Sequence, residues 1–317
     1  MKMINRRSFI TGIKSPILSM QEKLFLIKYK PWGVILFSRN IISVAQTKKL
    51  TDEIKKIFKD KFYPILIDQE GGRVNRFKGL FRSDTLTSEY FGNLYLTDKK
   101  RFDNYYKIFI NKTSHILRLA GININTVPVL DLRTKSSSNV IGDRSFSDNF
   151  KIVSKIGDIC IKTFHKNNIA TVIKHIPGHG LAKVDSHLLT PRVSAKYKFL
   201  IKKDFSAFKS KKSPLAMTAH IIYKNIDSLN TATHSKKVIH LIRDNIKFKN
   251  ILMSDDISMK SLKYSIKQNT QKAFNAGCNL VLHCNGNYKE MVVVAENSPP
   301  VSKFIIKKTS QLIKILS

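Results

Sequence analysis

Eight short apolar runs recur along the chain, and longer segments with helical periodicity separate them. The runs cover residues 9–13, 33–37, 64–68, 123–127, 170–174, 215–220, 251–254 and 279–283. Helical patterns lie between them, for example at 44–58, 102–121, 149–168 and 258–277. Near-continuous apolar strands that alternate with amphipathic helices are typical of a parallel sheet covered by helices. The pattern therefore predicts an α/β fold.

The number of runs predicts how the sheet is arranged. Eight strands, each followed by a helix, are what a closed (β/α)8 barrel of the TIM type requires. An open, doubly wound sheet is the alternative, but no G-x-G-x-x-G loop follows the first run. No linker rich in Pro, Gly or Ser divides the chain. We therefore expect residues 1–317 to form a single (β/α)8 barrel catalytic domain.

Polar residues follow the predicted strands, and in a barrel this is where the active site is built. Asp255 comes directly after the seventh run, so its carboxylate should point into the mouth of the barrel, where it could attack a carbon electrophile or hold a cation. The neighbouring Asp256 is expected to be the N-cap of a helix that begins near Ser258.

The segment KHIPGHGLAKVDSH, residues 174–187, contains the second chemical element. Asp185 stands two residues before His187, so its carboxylate could accept the Nδ1 proton and make the imidazole a general acid near neutral pH. Pro177, Gly178 and Gly180 exclude a helix, so His175 and His179 are not an i,i+4 metal pair.

Fixed donors and acceptors occupy other strand ends: Asp68, Arg76, Arg144, Lys174 and His175. Such a set suits a polyhydroxylated ligand with an amide, such as an amino sugar. The cations would also favour the ionised form of an attacking carboxylate.

The formal net charge of +34 would suit nucleic acid or an anionic surface, but the lysines are scattered and form no arm or tail. We therefore expect no specific nucleic-acid partner. No apolar run is long enough for a membrane span, so no membrane partner is expected either.

The cellular compartment is read from the cysteines and the N-terminus. Three cysteines without a CxxC pair fit a reducing, cytoplasmic compartment. The twin arginines Arg6-Arg7 precede only a short apolar run, which favours a first strand over a secretory signal.

The motifs together resemble glycoside hydrolase family 3, specifically its bacterial β-N-acetylhexosaminidases of peptidoglycan recycling (the NagZ type). The resemblance covers nearly the whole chain: GVILFSRNI (33–41), IDQEGGRVNRF (67–77), GININTVPVLDL (121–132), IGDRSF (141–146), KHIPGHG with DSH (174–187), MTAHI (217–221), SDDISM (254–259) and AGCNLVLHCNG (276–286). Four positions depart from the family pattern, at Trp32, Asn75, Ile176 and Asn279, and none has a chemical role.

The resemblance implies a role for each matched position. Asp255 would be the nucleophile that forms a glycosyl-enzyme ester, His187 the general acid/base and Asp185 its partner. Asp68, Arg76, Arg144, Lys174 and His175 would contact N-acetylglucosamine. It further implies a single barrel without metal or cofactor, which releases N-acetylglucosamine from its 1,6-anhydro-N-acetylmuramic acid disaccharide, with or without a stem peptide. We also expect a monomer.

Three alternatives stay open at this point. Phosphate could replace water as the acceptor, giving a phosphorylase. A metal-dependent barrel hydrolase could use His175, His179, His187 and Asp185. A nucleic-acid or cell-wall binding protein without catalysis is the third, prompted by the charge alone.

Overall fold

Eight parallel strands close into a barrel. The computed structural model describes residues 5–134, 139–182, 184 and 189–317. The barrel strands, labelled in chain order, are β1 (Arg7–Gly12), β2 (Pro31–Leu36), β3 (Ile65–Ile67), β4 (Ile124–Asn125), β5 (Ala170–Ile176), β6 (Leu215–Thr218), β7 (Ile251–Asp256) and β8 (Leu280–His283). Each strand pairs with its neighbours in sequence, and β8 pairs with β1 to close the sheet. The predicted TIM-type barrel is confirmed.

Helices surround the strands on the outside. Within the described residues they are α1 (Met20–Tyr29), α2 (Val44–Phe58), α3 (Ser88–Thr97), α4 (Lys99–Leu119), α5 (Phe150–Lys166), α6 (Tyr197–Lys202), α7 (Lys236–Asp244), α8 (Ile266–Ala276), α9 (Tyr288–Glu296) and α10 (Lys303–Leu316). Short 3-10 turns occupy Ser38–Asn40, Gly142–Arg144, Asp204–Phe208 and Ala232–His234, and Arg192–Val193 pairs with Ile222–Tyr223 outside the barrel.

Successive side chains on each strand point to opposite faces of the sheet, so there are two apolar cores, one inside the barrel and one between the strands and the helices. On β7, Ile251 and Met253 belong to the core inside the barrel, whereas Leu252 between them packs against the helices. The same alternation holds on β6, where Leu215 and Met217 face inward and Ala216 faces outward. Because both faces are covered, the strands read as continuous apolar runs in the sequence.

The amino-terminal end of the barrel is closed by α10. Ile305 and Leu312 of this helix join the interior core together with Trp32 of β2. The Trp32 ring is fully buried, and its indole Nε1 donates to Thr309 Oγ1 at 2.9 Å. The large side chain at this departure from the family pattern therefore fills the bottom of the barrel, remote from the carboxyl ends of the strands.

The predicted first strand is present, and it begins within the basic pair. Arg7 begins β1, and Arg6 forms an ion pair with Asp60 at 2.6 Å while its guanidinium lies 4.6 Å from the centre of the Tyr63 ring. Among the helices in the described ranges, none is both long and apolar enough to cross a bilayer.

One local prediction is wrong. The helix expected over 258–277 begins only at Ile266, and its N-cap is Ser265, which forms a capping box with Gln268. Asp256 is therefore not a helix N-cap. Its carboxylate instead accepts hydrogen bonds from the Ser258 N–H at 3.0 Å and from the Ser258 hydroxyl. The physical reason is that a turn separates β7 from α8, and an Asp can cap a turn as readily as a helix.

Candidate active site

Charged side chains replace apolar ones at the carboxyl-terminal layer of the barrel interior. On β7 the inward series runs Ile251, Met253, Asp255, and on β5 it runs through Val172 to Lys174. Because side chains two apart on a strand share a face, each charged group continues a series that is buried in the barrel. The alternation thus directs Asp255 and Lys174 toward one space above the apolar core.

That space is a pocket of about 270 Å³ at the carboxyl ends of the strands. Its lining includes Asp68, Glu70, Arg76, Arg144, Lys174, His175, His179, Met217, Asp255, Leu282 and Cys284. Six of the eight residues predicted as site residues therefore meet in one pocket. The other two, Asp185 and His187, lie outside the described residues.

Lys174, on β5, interacts with residues that follow β3 and β4. Its ammonium donates to Asp68 Oδ1 at 3.0 Å and to Thr126 Oγ1 at 2.9 Å, and it lies 2.7 Å from Glu70 Oε1. An ammonium has three protons, and these three acceptors match them. The geometry therefore makes Lys174 the group that orients Asp68 and Glu70. Its predicted contact with the sugar stays a prediction.

Asp68 is held in its ionised form. Besides Lys174, the Arg76 guanidinium donates to its Oδ2 at 3.1 Å, and the Thr126 hydroxyl also contacts it. Burial alone would raise the pKa of the carboxyl, but attraction to Lys174 and Arg76 outweighs burial and holds the pKa well below its usual range. Asp68 can therefore accept hydrogen bonds from hydroxyl groups but cannot supply a proton.

Glu70 and Arg144 form a bidentate pair. Arg144 Nε and one terminal nitrogen each lie 2.8 Å from a Glu70 oxygen, and both side chains are largely buried. Burial raises the Glu70 pKa, but the charges of Arg144 and Lys174 exceed that effect and lower the pKa to about 2. The pair fixes Arg144, one of the predicted sugar-binding residues, at the side of the pocket.

Asp131 organises the start of the fifth-strand loop from beneath. Its fully buried carboxylate accepts two hydrogen bonds, one from His175 Nδ1 at an N···O distance of 2.6 Å and one from the backbone N–H of His179 at 2.7 Å. Because Asp131 can only accept when ionised, His175 must carry a proton on Nδ1, which fixes the orientation of its ring. Burial lowers the His179 pKa to about 4, so this second histidine is uncharged at neutral pH.

Asp255 is only partly buried and lines the pocket. The backbone N–H of Asp256 donates to its Oδ1 at 2.8 Å, which restrains the carboxylate. At the end of β7, Asp255 thus lines the same pocket as Asp68, Arg144 and His175, and its role as the attacking group stays a prediction.

The same residues give little support to a metal site. In the part of the chain that the structure describes, no group of three or more His, Cys, Asp or Glu side chains is arranged to hold a metal ion. His175 and His179 instead share Asp131 as a hydrogen-bond acceptor: His175 donates from Nδ1 and His179 from its backbone N–H.

Comparisons with known proteins identify the family. Residues 14–313 match the model of the glycosyl hydrolase family 3 N terminal domain. The chain belongs to glycosyl hydrolase family 3. It is 33% identical to the β-hexosaminidase of Neisseria meningitidis over 289 residues, which is 89% of this chain and 79% of that protein. It is also 33% identical to the β-hexosaminidase of Haemophilus ducreyi, over 87% and 80% of the two chains.

A solved structure agrees with the sequence relatives. NagZ from Neisseria gonorrhoeae, in complex with N-trifluoroacetyl-D-glucosamine, superposes with a TM-score of 0.85 at 28% identity over 98% of this chain and 90% of that one. The predicted family and the predicted class of enzyme, a β-N-acetylhexosaminidase and thus a glycoside hydrolase, are confirmed.

Sequence reasoning gave no role to Glu70 and Asp131, which the structure places at the centre of the network. Glu70 was detectable, because it stands two residues after Asp68 and so falls on the same side of an extended segment. Asp131 follows the fourth predicted run, but its role could not be predicted, since its partners His175 and His179 are 44 and 48 residues away.

Proposed function

We propose that the protein is a retaining β-N-acetylglucosaminidase that releases terminal N-acetylglucosamine from its 1,6-anhydro-N-acetylmuramic acid disaccharide, with or without a stem peptide, in peptidoglycan recycling. Asp255 attacks the anomeric carbon and forms a covalent glycosyl ester. His187, paired with Asp185, first protonates the leaving oxygen and then removes a proton from the attacking water.

The observation that carries this proposal is that two carboxyls of the pocket, Asp68 and Glu70, are held in their ionised form. A retaining glycosidase needs a nucleophile and a separate proton donor. Lys174 and its arginine neighbours hold the pKa values of Asp68 and Glu70 well below neutral pH, so neither carboxyl can donate a proton there. Among the carboxyls of the lining, we therefore assign Asp255 as the nucleophile, and the proton donor must be a group other than Asp68 or Glu70. A histidine on the fifth-strand loop supplies that donor.

The roles of the remaining groups follow from their bonds. Asp68, oriented by Lys174, accepts hydrogen bonds from sugar hydroxyls, and Arg144, held by Glu70, donates to sugar oxygens. His175, anchored by Asp131, presents a fixed ring edge to the sugar. His187, which lies outside the described residues, would act on the glycosidic oxygen once the sugar is bound.

The decisive experiment compares wild type, Asp255→Ala and His187→Ala on two substrates, the natural disaccharide and a 4-nitrophenyl β-N-acetylglucosaminide. Asp255→Ala should lose at least about 1,000-fold in kcat on both. His187→Ala should lose about 100- to 10,000-fold on the disaccharide, while the burst of nitrophenol, whose departure needs no proton, persists. Full activity of His187→Ala on the disaccharide contradicts its role.

Covalent catalysis has its own readout. A ring-fluorinated N-acetylglucosaminyl fluoride slows hydrolysis of the intermediate, so the intact mass of wild type should rise by one glycosyl unit, and that of Asp255→Ala should not. Digestion should place the adduct on Asp255. An inverting mechanism would give no adduct and an α-configured first product.

Two alternatives are tested in the same assays. Activity that survives a chelator excludes the metal-dependent hydrolase. Incubation with phosphate, followed by a search for N-acetylglucosamine 1-phosphate, tests the phosphorylase, and its absence leaves water as the acceptor. The site also suits a small-molecule substrate and not a polymer of nucleic acid, because its cations are already paired with carboxylates. We propose a cytoplasmic location, which the three free cysteines support, and a monomer.

A further inference from the structure

His220 is a buried histidine beside the proposed nucleophile, and the mechanism above gives it no part. It lies just beyond β6, is 1% exposed and is not among the residues that line the pocket. Its ring instead reaches the peptide unit between Asp256 and Ile257, where Nε2 lies 2.9 Å from the carbonyl oxygen of Asp256. His220 therefore acts on the end of β7 without touching the sugar site.

The hydrogen-bond partners fix the protonation of this ring. A main-chain carbonyl can only accept, so Nε2 must carry a proton. Burial lowers the His220 pKa, and the carboxylates of Asp255 and Asp256 offset this only in part, so the ring is neutral at neutral pH. The Nδ1 atom then accepts from the Thr233 hydroxyl, which is 2.7 Å away.

A second hydroxyl extends the chain of bonds. Thr218 Oγ1, on β6, lies 2.8 Å from Thr233 Oγ1. The Thr233 hydroxyl also lies 3.3 Å from the Ala219 carbonyl, but His220 Nδ1 is the nearer acceptor. The Thr233 proton is therefore directed at His220, and Thr218 is the donor in its contact with Thr233. The direction of donation runs from Thr218 through Thr233 and His220 to the carbonyl of Asp256, and hydrogen bonds that run in one direction strengthen one another.

Both the main-chain carbonyl and the side-chain carboxylate of Asp256 are held by hydrogen bonds. His220 binds its carbonyl, while its carboxylate accepts from the backbone N–H groups of Ser258 at 3.0 Å and Cys284 at 3.2 Å. The remaining polar group, the N–H of Asp256, donates to Asp255 Oδ1 at 2.8 Å. The orientation of that N–H, and with it that of the Asp255 carboxylate, depends on how firmly Asp256 is held.

We propose that His220, with Thr233 and Thr218, is a positioning relay that orients the Asp255 carboxylate through the main chain of Asp256. The inference rests on the proposed function of Asp255. The relay explains why His220, Thr218 and Thr233 form a buried polar cluster although none of the three lines the pocket.

The test measures the first chemical step, by pre-steady-state release of 4-nitrophenol, in His220→Leu and His220→Gln. His220→Leu should slow this step about 10- to 100-fold, the cost of a small misplacement of a reacting group, with KM changed less than about threefold. His220→Gln has an amide that can donate to the Asp256 carbonyl, so it should recover most of the rate. Thr233→Val should slow the step, and Thr233→Ser should not.

His234→Leu is the matched control. His234 is also buried and its Nε2 lies 3.2 Å from a main-chain carbonyl, but that carbonyl belongs to Asn269 in α8. It should leave the rate of the first step within about threefold of wild type, whatever it does to the melting temperature. An equal slowing in both leucine variants, or a loss in KM alone, overturns the relay. Where Asp255→Ala is inactive and His220→Leu has the wild-type rate, only the relay fails. An active Asp255→Ala refutes the proposed function itself.

Discussion

Removing the charge of Glu70 should reveal how strongly the pocket depends on its ion pairs. In Glu70→Gln, the Arg144 and Lys174 charges lose a buried partner that lies 2.8 Å from one and 2.7 Å from the other. Breaking a buried pair from one side costs about 3–5 kcal/mol, because it leaves a buried charge without compensation. The substitution keeps the size and shape of the side chain, so packing changes little.

The pKa of Glu70 gives a second value for the same quantity. A fall from the ordinary 4.5 to about 2 on folding corresponds to roughly 3 kcal/mol of folding free energy. Because the folded pKa is the lower one, this stability is present above pH 4.5 and is lost as the pH falls toward 2. The difference in stability between wild type and Glu70→Gln should therefore be about 3 kcal/mol at pH 7 and should shrink below pH 4.5.

Urea unfolding at a series of pH values from 7 to 3 measures this difference as a shift in midpoint. Glu89→Gln is the control, since Glu89 also pairs with an arginine, Arg133, but the two side chains are 39% and 42% exposed. Exposed pairs contribute about 0–1 kcal/mol, so the control should shift the midpoint little. A Glu70→Gln effect that equals the control, or one that stays constant with pH, would refute the reasoning.

Three further substitutions follow from the same contacts. Asp131→Asn should lower kcat/KM about 10- to 100-fold, the cost of a small misplacement, because it loosens the ring of His175; steady-state kinetics on the 4-nitrophenyl substrate measures this. Arg76→Ala should raise KM about tenfold with kcat nearly unchanged if the guanidinium contributes uniform binding, and inhibition by N-acetylglucosamine should weaken in parallel. Trp32→Ala should cost about 3–5 kcal/mol in urea unfolding, while Trp32→Phe, which mainly loses the bond to Thr309, should cost about 1 kcal/mol; equal costs would refute the cavity argument.

The eight apolar runs and the helices between them predict the barrel. The polar residues after each run predict that the site lies at the carboxyl ends of the strands. The alternation of inward and outward residues is a local property of each strand, so Asp255 after Ile251 and Met253, and Lys174 after Val172, can be placed at the top of the interior without coordinates. Helix starts are less well determined, because an Asp can cap a turn or a helix equally well. For this reason α8 begins eight residues later than its pattern indicates.

The sequence alone determined which residues could reach the pocket: each predicted site residue inside the described ranges lines it, through local periodicity and the common direction of parallel strands. Only the tertiary structure decided what those residues do to one another. Lys174 is paired with Asp68 and Glu70, Asp131 with the loop 44 residues later, and His220 with the main chain beyond Asp255. Each of these bonds joins different strand ends, and the distance between strand ends depends on how the barrel closes, which no local pattern encodes.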